Sequence, residues 1–128
     1  MKEIKELIKK TQHLNVLFVD DEKDIRDSVK IFFDKFVKNF FLANDGKEGL
    51  KTFKEENIDV IITDIIMPRM DGFQMIKEVK KINPNIFIII ISANDDTEID
   101  EDIPYDLKIK KPILFEDIKK IIKAISQL

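Results

Sequence analysis

Six consecutive apolar residues, Ile86-Phe87-Ile88-Ile89-Ile90-Ile91, constrain this chain more than any other feature. A run of that length without polar alternation reads as a strand buried on both faces, as at the centre of a parallel sheet. Asn83-Pro84-Asn85 breaks the chain before it, and Ser92-Ala93 ends it. Parallel strands cannot be joined by tight hairpins, so the rest of the chain must supply crossover connections.

It does. Val16-Leu17-Phe18-Val19 is a first apolar run, ending in Asp20-Asp21. Ile25, Val29, Phe32, Phe33 and Phe36 follow with the spacing of a buried helix face. Phe40 to Ala43 form a second strand, closed by Asn44-Asp45-Gly46, and 46–56 read as a helix with Leu50 and Phe53 inward. Gly46 and Gly49 weaken that helix. Val60-Ile61-Ile62 begin a third, β-branched strand that runs out at Asp64. Pro68 forbids a regular helix in the loop that follows, and Asp71-Gly72 signals a turn or the start of a helix over 72–82 burying Phe73, Ile76 and Val79. After the isoleucine run comes a stretch, 94–106, with seven acidic residues and no basic ones. Leu107 to Lys110 make a last short strand, and the final helix carries Leu114, Ile118, Ile121, Ile122 and Ile125 on its inner face. Strands alternating with helices five times imply an α/β, doubly wound, five-stranded parallel sheet with right-handed crossovers. Residues 2–12 precede this pattern as a short amphipathic helix with Ile4, Leu7 and Ile8 on one stripe, marginal unless it docks. His13, the one histidine, reads as a solvated linker residue.

All strand exits of a parallel sheet lie on one edge, where open α/β folds keep their ligand crevices. Asp20, Asp21, Asp64, Ser92 and Lys111 stand at those exits. Singly, each has an ordinary reading: Asp64 as a helix cap, Asp20 and Asp21 as helix-start acids, Ser92 as a strand-end cap, Lys111 as a surface lysine. Together, in this order, they form a constellation. Two carboxylates 4 Å apart repel by roughly 4 kcal/mol at an effective dielectric of 20, so the cluster calls for a cation. Oxygen ligands with room for water suit Mg²⁺. A carboxylate can also act as a nucleophile and become an aspartyl-phosphate, with lysine and serine completing an anion site.

With 128 residues, one domain is expected. No cysteines are present, which removes disulfides, thiol redox chemistry and thiolate zinc sites. A net charge of −3, from 22 basic and 25 acidic residues, gives no footprint for nucleic acid. No run reaches membrane-spanning length and no signal core opens the chain, so a soluble cytoplasmic protein without membrane partners is expected.

The motifs Val16-Leu17-Phe18-Val19-Asp20-Asp21-Glu22, Ile62-Thr63-Asp64-Ile65-Ile66-Met67-Pro68-Arg69-Met70-Asp71-Gly72, Ile91-Ser92-Ala93 and Lys110-Lys111-Pro112 resemble the receiver domains of two-component response regulators. The resemblance covers 14–128, with 1–13 as an amphipathic extension, and implies a flavodoxin-like receiver fold with strand order 2-1-3-4-5. It implies that Asp64 accepts a phosphoryl group from a sensor histidine kinase or histidine phosphotransfer protein. It further implies that Asp21, Asp64 and the backbone carbonyl of Ile66 bind Mg²⁺ directly, while Asp20 holds a metal-bound water. Ser92 would be the switch hydroxyl and Lys111 the phosphate contact, with Lys111-Pro112 in the cis form. Such a protein is an interaction switch acting on a downstream protein, not a turnover enzyme, and is expected to stand alone.

The chain departs from the family pattern in places. Lys108 occupies the position of the family's switch aromatic, three residues before Lys111, and is expected to face solvent, paired with the acidic stretch. That stretch is also shorter than usual in the family. Two other readings compete: a receiver-like interaction module that is never phosphorylated, and a phosphatase of the haloacid-dehalogenase type. The latter needs an acid two residues after its nucleophile; Ile66 follows Asp64 there, and Glu22 after Asp20 is a weak match. Flavin binding is disfavoured because none of the three glycines builds a phosphate loop after a strand.

Overall fold

The computed structural model describes residues 2–67, 69–93 and 104–128. Helix α1 (Lys2–Thr11) precedes β1 (Asn15–Val19), α2 (Lys23–Phe33), β2 (Asn39–Ala43), α3 (Gly46–Glu55), β3 (Val60–Asp64), α4 (Gly72–Ile82), β4 (Phe87–Ser92), β5 (Leu107–Lys110) and α5 (Phe115–Ile125). The five strands form one parallel sheet in the order β2-β1-β3-β4-β5.

Side chains alternate across the sheet and so divide the core into two layers. Val16, Phe18, Ile62, Ile89, Ile91 and Ile109 pack against α2 and α5. Leu17, Val19, Ile61, Ile88 and Ile90 pack against α3 and α4. The run Ile88 to Ile91 is wholly buried, two residues to each layer, as its lack of alternation requires. Each such side chain contributes roughly 2 kcal/mol of burial, so this strand alone rivals the net stability of an ordinary domain before chain entropy offsets it.

Helix α1 docks rather than frays. Leu7 lies against the α2–α5 layer, the Thr11 hydroxyl donates to Phe36 O, and Glu3 pairs with Lys123 of α5 at 3.5 Å. His13 is exposed, as expected.

Two residues assigned to inner faces lie outside. Phe32 is 40% exposed, because the inner stripe of α2 is filled by Val29 and Phe33; its ring packs edge-on to Phe115 instead. Leu114 is exposed because it precedes α5 as the N-cap residue and does not continue the helical stripe. Lys108, on the edge strand β5 opposite Ile90 of β4, is half-buried rather than fully solvent-facing. The expected crossover after β4, and most of the acidic stretch, lie outside the described residues. Asp106, at its end, is paired in both directions with the Ile88 backbone, which starts the β4–β5 ladder.

Candidate functional site

Strand register brings the exits together. Val19 stands opposite Thr63 and Asp64 opposite Ile91, while Ser92 stands opposite Lys110. One residue further, Asp20, Asp64, Ser92 and Lys111 therefore share an edge. The chain crosses from β2 on one side of β1 to β3 on the other, so this edge is also the topological switch point of the sheet.

Asp20 is fully buried, and its two oxygens have different fates. Oδ1 accepts from Glu22 N at 2.8 Å and so turns the chain into α2, the helix-start role acidic residues often take. Oδ2 is buried without a hydrogen-bond partner. Desolvation raises the pKa of Asp20 above the ordinary carboxylate value; the Glu22 N–H and Lys111 oppose this, and Asp64 and Asp21 add to it. Arg26 donates to the Asp20 carbonyl at 2.7 Å, which fixes the backbone here.

Asp64 is 6% exposed. Its Oδ1 accepts from Ile65 N at 2.8 Å, and its Oδ2 accepts from Lys111 Nζ at 2.7 Å. The same ammonium lies 3.8 Å from Asp20 Oδ2. Burial works against the charge on Lys111, but the Asp64 hydrogen bond and the charges of Asp64, Asp20 and Glu22 outweigh it, so its pKa is raised. The lysine stays protonated at any physiological pH. The Lys111-Pro112 peptide is cis, as expected.

Carboxylate oxygens of Asp20, Asp21 and Asp64 lie within 4.8 Å of one another. Asp21 is exposed, so the cluster opens to solvent on one side. A cavity of about 210 Å³ is lined by Asp21, Glu22, Asp64, Ile66, Ser92 and Lys111. Three carboxylates face one ammonium, and one buried oxygen has no donor. This donor set, oxygen only with space for water, fits Mg²⁺. Every residue picked out at the strand exits is thus brought together, with Ser92 buried at the rim and the Ile66 side chain turned outward.

Glycine is required where α4 meets the end of β3. A Cβ on Gly72 would meet Asp64 O at 2.3 Å, and Gly72 N donates to Ile65 O at 2.7 Å, so α4 begins hard against the strand end. Asp71 caps α4 reciprocally with Gln74. Sequence reasoning missed Arg26 and the pairing of Arg69 with Asp45 across 2.6 Å. Asp45 carried a signal, Asp-x-x-Glu, and it caps α3 through Glu48 N at 2.8 Å; the two arginines carried none.

The sequence matches the family described as the response regulator receiver domain over residues 16–123. The chain belongs to that family. This receiver is 30% identical over 114 residues to "Response regulator RR06" of Streptococcus pneumoniae, a match covering 88% of this chain and 52% of the relative. It therefore spans about half the length of that relative. Among solved structures, the Francisella response regulator 1452 receiver domain is similar with TM-score 0.78 and 31% identity, over 90% of this chain and 98% of that one. The response regulator protein TrrA of Thermotoga maritima, in complex with Mg(2+)-BeF, is similar with TM-score 0.77 and 29% identity, over 88% and 98%. The receiver thus belongs to a family of signalling regulators. No helix among the described residues is long and apolar enough to cross a membrane.

Proposed function

We propose that this receiver takes a phosphoryl group onto Asp64 from the phosphohistidine of a sensor histidine kinase or histidine phosphotransfer protein, and signals through altered contact with a downstream protein. A carboxylate oxygen of Asp64 attacks phosphorus, the P–N bond to the donor imidazole breaks, and the imidazole leaves with its electron pair and takes up a proton. Lys111 neutralises the charge carried by Asp64 and by the arriving phosphoryl oxygens, in a pocket where water is partly excluded. Ser92, buried at the rim, is the hydroxyl for a phosphoryl oxygen. Asp20, Asp21, Asp64 and the Ile66 carbonyl would hold Mg²⁺, which supplies positive charge to the transferring phosphoryl group. Asp20, with one oxygen already committed to Glu22 N, is the member suited to act through water.

The observation that carries this reading is the placement of a nearly buried carboxylate 2.7 Å from a protonated lysine and inside a carboxylate trio. The solved complex of TrrA with Mg(2+)-BeF supports it by similarity. Phosphoramidate, a small donor with the same P–N bond, tests it. With Mg²⁺ it should add one phosphoryl group that hydroxylamine removes, and EDTA should abolish the reaction. Labelling that survives EDTA, or resists hydroxylamine, contradicts the proposal.

A further inference from the structure

The loop between β3 and α4 carries the Ile66 carbonyl, and it is tied down at three described points. Gly72 N donates to Ile65 O at 2.7 Å, Gly46 N donates to Met70 O at 2.8 Å, and Arg69 Nη2 lies 2.6 Å from Asp45 Oδ2. The first two ties are backbone bonds. The third depends on side-chain chemistry.

Two observations set Arg69 apart. Among the described residues it is the one non-glycine with positive φ, at 66°. An L side chain there is strained, and such strain persists only where the surroundings over-determine it. Its partner is also unusual. Asp45 is 1% exposed; one of its oxygens caps α3, and the other faces the guanidinium in a close ion pair rather than an aligned hydrogen bond. A buried carboxylate needs a compensating cation, and Arg69 supplies it from outside, its own side chain being 64% exposed. The arginine is therefore not there to fill space. It fastens the loop to the start of α3, at the same place where Gly46 lets the Met70 carbonyl approach: a Cβ on Gly46 would meet that oxygen at 2.4 Å.

We infer that Arg69 is a positioning residue of the acidic site: by holding the β3–α4 loop on Asp45, it fixes the Ile66 backbone beside Asp64 for the cation. This deepens the reading of Asp20, Asp21, Asp64 and Ile66 as an Mg²⁺ site and rests on it. Arg69 touches neither cation nor phosphoryl group; it acts through the loop.

Arg69→Asn isolates the effect, because asparagine tolerates positive φ while removing the cation. Asp45→Asn removes the opposite charge. Ile125→Val trims the core at the last residue of α5 and serves as a variant that is merely less stable. Mg²⁺ affinity is measured by calorimetry on the full chain, well below each variant's melting temperature. Arg69→Asn and Asp45→Asn should each weaken Mg²⁺ binding about tenfold, the scale of a lost orienting partner. The double variant should be no weaker than either, Arg69→Lys should recover part of the loss, and Ile125→Val should bind like wild type. Wild-type affinity in Arg69→Asn overturns the inference while leaving the site reading intact. A wild type that binds no Mg²⁺ overturns the site reading and this inference with it.

Discussion

The ammonium of Lys111 lies 2.7 Å from Asp64 Oδ2 and is the one cation paired with that carboxylate among the described residues. Lys111→Met removes it and leaves Asp20, Asp21 and Asp64 facing one another uncompensated. Phosphorylation by a small donor should slow about a hundredfold, as when a preorganised charge donor is lost from a transfer site. The protein without metal should lose about 1–3 kcal/mol of stability. Urea melts with and without Mg²⁺ check this, since added cation should restore part of the loss. Equal melts in wild type and variant would count against the pairing.

Asp20 makes stability depend on pH. Its folded pKa is raised above 3.8 by burial, so the folded state holds this proton more tightly than the unfolded chain. The favourable contribution is complete below the unfolded value and is lost as pH rises through the raised folded value. Above that window the buried charge costs stability. Asp20→Asn should therefore be more stable than wild type at neutral pH in EDTA, and the difference should shrink as the pH falls through the window. It should also bind Mg²⁺ more weakly. Melting curves from acid to neutral pH decide the sign.

How much of this was legible without the structure follows from which residues answer to local pattern. Asp20, Asp64, Ser92 and Lys111 were legible because a parallel sheet sorts every strand exit to one edge, so chain order alone predicts their meeting. Phe32 and Leu114 were misplaced because periodicity does not report how wide a helix's inner stripe is, nor that the helix begins one residue later. Lys108 was read by charge, yet it stands opposite Ile90 of β4 and is half-buried. The Arg69–Asp45 pair joins two loops 24 positions apart and leaves no local trace.

Gly72 links fold to site most tightly. With Asp64 O only 2.3 Å from where a Cβ would stand, Gly72→Ala must push α4 away from the strand end. The expected cost is about 2–3 kcal/mol, typical of overpacking against backbone that cannot yield. Mg²⁺ affinity should fall as well, because the displaced loop begins at Asp64. Denaturant unfolding and calorimetry on the same preparation test both parts.

The central claim is that Asp64 is the phosphoacceptor. Intact mass after incubation with acetyl phosphate and Mg²⁺ tests it most directly, comparing wild type with Asp64→Asn. The account predicts one added phosphoryl group on the wild type and none on the variant. An unmodified wild type, or the same addition on Asp64→Asn, would contradict it.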